Sequence, residues 1–429
     1  MEEWKQYRLI DILDKLIDYR GKTPKKTTSG IPLITAKIIK NGRIDTPTEF
    51  ISVDDYDSWM VRGFPKVGDV VLTTEAPLGE VAQLDNENIA LAQRVVTLRG
   101  KAGVLDNTYL KYYLMSNVGQ QRIKARETGT TVTGIKQSEL REVLVDCPPY
   151  QFQQKIASIL KSIDDKIEVN RRINDNLEQQ AQELFKSWFV DFEPFKDGEF
   201  VESELGMIPK GWRVYSMDEL VDIIGGYSYK SNELQDSTTA MATIKNFERS
   251  GGFKINGFKE IVPSLKAKQE QFLKKFDIII AHTDITQNAD IIGNPALILN
   301  FGKYERLIMS MDLVKVKSKS DYITYGLLYS FFADARFKGH ALGYVNGTTV
   351  LHLSKKAIPE YKLALPHDLS ILAEYGKTFD SLFAKEAKMM EETDRLTELR
   401  DTLLPKLMSG EIKVINSDLI SEMLEKGIR

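Results

Sequence analysis

The sequence predicts a mixed α+β chain in which two similar globular blocks are each followed by a long helix. Three observations carry this expectation. Segments near the start recur about half-way along, two long stretches space their apolar residues by threes, fours and sevens, and the remainder alternates short β-branched runs with turn residues.

The repeat comes first because it decides the architecture. Trp4-Lys5-Gln6-Tyr7, with Leu9, Asp11, Ile12 and Leu13 after it, recurs as Trp212-Arg213-Val214-Tyr215, then Met217, Glu219, Leu220 and Val221, an offset of 208. Phe64-Pro65-Lys66-Val67-Gly68-Asp69 recurs as Phe272-Leu273-Lys274-Lys275-Phe276-Asp277 at the same offset, and Gly129-Thr130-Thr131-Val132 as Gly347-Thr348-Thr349-Val350 at 218. A drift this small reflects loop insertions in a duplicated block. Within the blocks, the runs Asp69 to Thr73, Arg94 to Leu98, Asp277 to Ala281 and Leu313 to Val316 read as strands, and Thr108 to Ser116 and Tyr322 to Phe332 as helices. The predicted order is a first block over 1–150, a helix and linker over 151–205, a second block over 206–366, a second helix over 367–415 and a tail over 416–429.

The long helices carry a coiled-coil seam. Ile156, Ile163, Asn170, Leu177 and Leu184 fall seven apart, and Leu160, Ile167, Asn174, Ala181 and Trp188 form a second series four residues later. No Pro or Gly interrupts Gln151 to Asp191, so the helix should reach roughly 60 Å at about 1.5 Å per residue. Leu372, Phe379, Leu382, Met389, Leu396, Leu403 and Leu407 repeat the design, ending near Pro405 and Gly410. Asn170 and Asn174 in one helix, and Glu386 and Thr393 in the other, are polar layers that fix register at some cost in stability. Trp188, Phe189 and Phe192 are expected to be core where the helix meets the next block, with a docking patch as the alternative.

Composition narrows the function. The chain has 429 residues, 42% hydrophobic and 28% charged, which excludes disorder. Apolar runs stop far short of the roughly 18 residues that cross a bilayer, the start Met1-Glu2-Glu3-Trp4 is acidic where a signal peptide is basic, and the single Cys147 excludes an internal disulfide. A cytoplasmic protein is expected. Net charge is −3, with residues 1–150 at +1, 151–205 at −5, 206–366 at +5 and 367–429 at −4. The average therefore hides an alternation of neutral-to-basic blocks and acidic helices, each suited to a different partner.

Enzyme signatures are missing. Arg20-Gly21-Lys22-Thr23 lacks the earlier glycine of a phosphate-binding loop, Leu16 standing in its place. Asp146-Cys147-Pro148-Pro149-Tyr150 has Cys147 where an amino-methyltransferase needs Asp, Asn or Ser, and reads as a proline stop between strand and helix. No Pro-Asp dipeptide opens a nuclease site, and His282, His340, His352 and His367 have no metal-ligand spacing.

Four stretches carry a resemblance. They are Pro148-Pro149-Tyr150-Gln151-Phe152-Gln153-Gln154-Lys155-Ile156-Ala157 leading to Ile163-Asp164-Asp165-Lys166-Ile167; Leu184-Phe185-Lys186-Ser187-Trp188-Phe189-Val190-Asp191-Phe192-Glu193-Pro194; Gly206-Met207-Ile208-Pro209-Lys210-Gly211-Trp212; and Leu403-Leu404-Pro405-Lys406-Leu407-Met408-Ser409-Gly410-Glu411-Ile412. In this order, over nearly the whole chain, they resemble the specificity subunits of Type I restriction-modification systems. One departure is that the second helix opens Leu365-Pro366-His367-Asp368-Leu369, without the Pro-Pro and Gln-rich start of the first.

The resemblance implies two target recognition domains, each reading half of a split sequence in double-stranded DNA, and two antiparallel helices that set the spacer and dock modification subunits, two per chain. It implies no catalysis and no cofactor in this chain; S-adenosylmethionine, ATP and Mg are expected on the modification and restriction subunits. Two other readings stay open at this point: a self-contained DNA-acting enzyme such as an adenine methyltransferase, and a coiled-coil adaptor that binds no DNA. Candidate DNA contacts are Arg20, Lys22, Lys25, Lys26, Arg122, Lys124, Arg126 and Lys136 in the first block, and Tyr227, Tyr229, Lys230, Arg336, Lys338 and His340 in the second. Each competes with a solvated surface charge.

Overall fold

The computed structural model describes residues 4–129, 133–249, 251–255, 257–286 and 288–412; the repeat residues Thr130 to Val132 and the predicted tail 416–429 lie outside the described residues. The chain divides into two compact units, Met1–Ile167 with Arg395–Arg429, and Glu168–Asp394. Each unit holds one globular block and part of both long helices.

In the first unit a four-stranded antiparallel sheet runs in the order Leu13–Asp18, Val95–Gly100, Val70–Thr74, Leu78–Gln83. The second unit repeats it as Val221–Gly225, Leu313–Ser318, Ile278–Ala281, Pro295–Leu297. Thr73 pairs with Val95 in one sheet and Ala281 with Leu313 in the other, so the sequence offsets of 208 and 218 are also offsets of strand register. Two short helices follow the sheet in each unit, Asn107–Met115 and Asn117–Lys124, then Tyr325–Ala333 and Ala335–Leu342. The first of each pair begins one to three residues from its predicted start.

Each block is closed by its own ends. Lys5–Arg8 pairs antiparallel with Leu144–Cys147, and Trp212–Ser216 with Lys362–Pro366. In the first unit two prolines end the closing strand, and the helix Tyr150–Phe189 starts at once. Gln153 explains the glutamine-rich start: its buried side chain accepts from the Asp106 N–H (3.0 Å) and donates to the carbonyls of Val104 (3.0 Å) and Pro148 (2.9 Å). The second unit lacks this device and uses another. Asp368 accepts from the Ser370 N–H at 3.0 Å, a 3-10 turn covers Leu369–Ile371, and the helix runs from Leu372 to Met408 with Pro405 in its last turn.

The helices are held by polar hubs as well as by the apolar seam. In the first unit Asp164, from the Ile163-Asp164-Asp165 stretch, accepts from Lys111 (3.0 Å), from the Tyr112 hydroxyl (2.7 Å) and from Arg400 of the second helix (3.1 Å). In the second unit Asp380 accepts from the Thr324 hydroxyl and the Gly326 N–H, both at 2.8 Å, at the start of the Tyr325–Ala333 helix. Asn170 is fully buried and donates to Glu392 at 2.8 Å, and Glu178 shares a hydrogen bond with buried Glu386. As the number rises on one helix it falls on the other, so the helices are antiparallel.

Of the predicted seam, Ile156, Leu160, Ile163, Asn170, Leu177, Leu372, Phe379, Leu396 and Leu403 are buried, while Ile167, Asn174, Leu184, Leu382 and Met389 are partly exposed. Phe185, Phe189 and Phe383 are buried positions beyond the predicted seam residues. Phe185 stacks on Phe189 at 5.4 Å, and Trp188 packs edge-on against Phe379 at 5.9 Å, so these aromatics belong to the core of the second unit. Each such ring contributes roughly 2–3 kcal/mol by burial.

The hubs respond to pH in opposite directions. Burial pushes the Asp164 carboxyl up, but Lys111, Tyr112 and Arg400 outweigh it and hold it below its ordinary value of 3.8. A lowered acid contributes stability at neutral pH that is lost as pH falls through the folded-state value. Asp164→Asn strands Lys111, whose side chain is only 10% exposed, and leaves Arg400 with Asp401 alone; it should cost about 3 kcal/mol at pH 7 in urea unfolding. The difference from the parent should shrink below pH 3.8.

Glu386 and Glu178 have the opposite sign. Burial comes first and mutual repulsion second in raising Glu386; burial, then Asp175, raises Glu178. Their surroundings are Gly252, Phe253, Tyr329, Phe383 and Met390, with no cation among them. The folded chain thus keeps a proton that the unfolded chain releases above the ordinary glutamate value of 4.5, and stability falls as pH climbs from there. Glu386→Gln should raise Tm more at pH 8 than at pH 5.

Candidate nucleic-acid interface

At one end of the first sheet, three segments are drawn together by backbone. The Thr74 N–H donates to the Arg94 carbonyl (2.9 Å), and the Ile135 N–H donates to the Thr74 carbonyl (2.9 Å). Thr128 and Gly134 exchange hydrogen bonds of 2.7 and 3.0 Å, with the basic residues Arg126 and Lys136 two positions to either side. Gly134 is required there, because a Cβ would come within 2.9 Å of the Thr74 carbonyl oxygen. Arg20 donates to the Ile135 carbonyl at 2.6 Å, which brings the Arg20–Lys26 segment to the same edge, and the Thr23 hydroxyl meets Gln93 Oε1 at 3.3 Å.

The second unit builds the same frame. The His282 N–H donates to the Asp312 carbonyl (2.8 Å), and the Leu353 N–H donates to the His282 carbonyl (2.9 Å). Thr283 pairs with His352, as Glu75 bridges Gly134 in the first unit. The side chains laid on this frame differ. Arg94 forms an ion pair with Glu75 at 2.8 Å, whereas the Thr283 hydroxyl donates to Asp312 at 3.1 Å.

Lys22, Lys25, Lys124, Lys136 and Lys230 are exposed, and among the described residues none has a carboxylate within salt-bridge distance. Lys26 pairs with Glu49 (2.8 Å), Arg126 with Glu139 (3.0 Å) and Arg336 with Asp334 (2.6 Å), all at the surface. Tyr229 is partly buried beneath Lys259.

Five candidates are corrected to scaffold, because each has polar atoms engaged within the protein. Arg20 braces Ile135. Arg122 pairs with Asp146 (2.8 Å) and donates to the Leu144 carbonyl (2.9 Å). Tyr227 is buried, with its hydroxyl on Glu233 at 2.6 Å. Lys338 donates to the carbonyls of Ala289 (3.0 Å) and Ile292 (2.7 Å) and to Asn294 (2.8 Å); burial lowers its pKa. His340 bonds the Ala357 carbonyl at 2.8 Å between Tyr344 and Tyr361. Arg122 and His340 are repeat equivalents, and both turn inward.

Gln93, Arg94, Met311 and Asp312 are absent from the residues that sequence reasoning singles out. The β-branched run places Arg94 in a strand, but the observed strand begins at Val95, leaving Gln93 and Arg94 in the turn. The signal lies in the offset of 218, which aligns Gln93-Arg94 with Met311-Asp312.

Comparison with known proteins gives this end of the sheet its context. Residues 1–179 match the family described as Type I restriction modification DNA specificity domain. Over those residues the chain is similar to that family. The Type I restriction enzyme MjaIX specificity subunit of Methanocaldococcus jannaschii is 29% identical over 90% of this chain and 87% of its own length. The MjaVIII specificity subunit of the same organism is 24% identical over 97% and 94%. A crystal structure of a Type I restriction-modification S subunit from M. genitalium superposes with a TM-score of 0.56 at 18% identity, covering 94% of this chain and 96% of the other. The duplicated fold is therefore that of a Type I specificity subunit. Among the described residues no helix is long and apolar enough to cross a membrane.

The two kinds of lysine should separate experimentally. Lys22→Ala with Lys136→Ala should leave Tm unchanged and weaken DNA binding by the assembled complex on every sequence, reducing the salt slope by about one for each phosphate no longer neutralised. Lys338→Ala should instead lower Tm, because it releases the Ala289–Asn294 segment.

Proposed function

We propose that this chain is the DNA-specificity subunit of a Type I restriction-modification complex, each block reading one half of a split target. The observation that carries this reading is the duplicated frame itself: one backbone scaffold, built twice at offsets of 208 and 218, presents different side chains at equivalent positions. A protein that needs two different half-sites at one fixed separation gains from an identical scaffold with variable chemistry, as two-headed DNA readers do.

The long helices set the spacer and dock two modification subunits. Acidic helix surfaces suit protein partners, since phosphates would repel them. Catalysis, with S-adenosylmethionine, ATP and Mg, belongs to the modification and restriction partners. The chain works in the cytoplasm beside the DNA it reads.

The test is exchange of residues 1–150 for the corresponding block of a relative, in the complex assembled with its modification subunits. Methylation-sensitive sequencing should show one half of a split motif replaced and the other retained. Change in both halves, or loss of all methylation from a correctly assembled complex, would refute separate reading.

A further inference from the structure

We propose that the turn entering the second strand of each sheet, Gln93-Arg94 in the first block and Met311-Asp312 in the second, is a specificity-determining pair, and that the two pairs select opposite base-edge chemistry. This rests on the DNA-reading function above and names residues within it.

The positions are equivalent by backbone, as the paired hydrogen bonds Thr74 to Arg94 and His282 to Asp312 establish. Each is followed by the strand at the centre of its sheet and flanked by the loop closed at Gly134 or Leu353. The scaffold is rigid here while the side chains reach solvent: the Arg94 side chain is 48% exposed and Met311 is 60% exposed. Rigid backbone with exposed, differing side chains is what a variable reader requires.

The charge reversal decides between phosphate and base. An arginine at a DNA surface can serve either, but a carboxylate is repelled by phosphate and has a favourable partner only in a base amino group. Asp312 occupies the position of Arg94, so this place in the frame faces base edges. Its Oδ1 accepts from Thr283 (3.1 Å) and its Oδ2 from Ser310 (3.4 Å), leaving acceptor capacity on both oxygens.

Arg94 is held from one side, Nε against Glu75, with no bond from its terminal amino groups to the described residues. Those two donors match the O6 and N7 acceptors of guanine. Gln93 offers its amide nitrogen beside them while Thr23 holds its oxygen. In the second block Asp312 accepts from the amino group of cytosine or adenine, and Met311 supplies an apolar contact to a neighbouring thymine methyl.

The experiment uses the full chain assembled with its modification subunits and a DNA library randomised across both half-sites. Arg94→Ala should relax one base position in one half-site, reducing the preference for its base about tenfold or more, with the other half-site unchanged. Asp312→Asn should alter one position in the other half-site only. Arg94→Lys, which keeps the charge and loses the fork, should retain methylation and still lose the preference, which separates reading from folding. Thermal melting and partner assembly of each variant establish that it is folded. An unchanged motif in the folded variants would overturn the inference, as would a uniform loss of rate on all sequences, the mark of a phosphate contact. Absence of any split motif from the parent complex would instead overturn the functional reading on which it rests.

Discussion

The rest of the structure depends on the antiparallel pairing of each block's first strand with its last. Lys5–Arg8 on Leu144–Cys147, and Trp212–Ser216 on Lys362–Pro366, close the blocks on themselves. Because the last strand leads into a long helix, that pairing also fixes where each helix leaves its block. In the first unit the link is only Pro148 and Pro149, and the proline geometry with buried Gln153 leaves the chain little freedom there. The duplication yields two blocks that each lead from the closing strand into a long helix, by different local devices.

Polar groups inside the helix pairing show what the design favours. An all-leucine seam would be more stable but could slide by a heptad. Asp164 and Asp380 bind the beginning of each long helix to the first short helix of its own block, and Asn170 with Glu392 marks a single register. Asn170 Oδ1 and Asn174 Oδ1 are buried without a partner among the described residues, and Glu178 and Glu386 share a proton in an apolar setting. Each costs stability, and each penalises displacement of the helices from a single register.

The architecture is legible in the sequence because it rests on periodicity. Heptads over Ile156 to Leu184, β-branched runs such as Ile278 to Ala281 and the repeat offsets all have local signatures, and the structure follows them within a few residues. The interface is not. A basic residue looks the same in sequence whether its head reaches water, as for Lys22, or four internal acceptors, as for Lys338. The departure at Leu365–Leu369 is visible, but its remedy, a 3-10 turn capped by Asp368, is not, because a single aspartate has no distinctive spacing. Reading the repeat residue by residue recovers more, since Arg122 and His340 share one inward role and Arg94 and Asp312 one outward position.

The central claim is that one scaffold, used twice, presents two different chemistries to two half-sites. Photo-crosslinking with peptide mapping, using duplexes that carry a photoreactive base in one half-site at a time, tests it most directly on the assembled complex. Label in one half-site should attach to peptides of residues 1–150 that include Gln93 and Arg94, and label in the other to peptides of 206–366 that include Met311 and Asp312. Attachment of both labels to the same block, or to the long helices, would contradict the account.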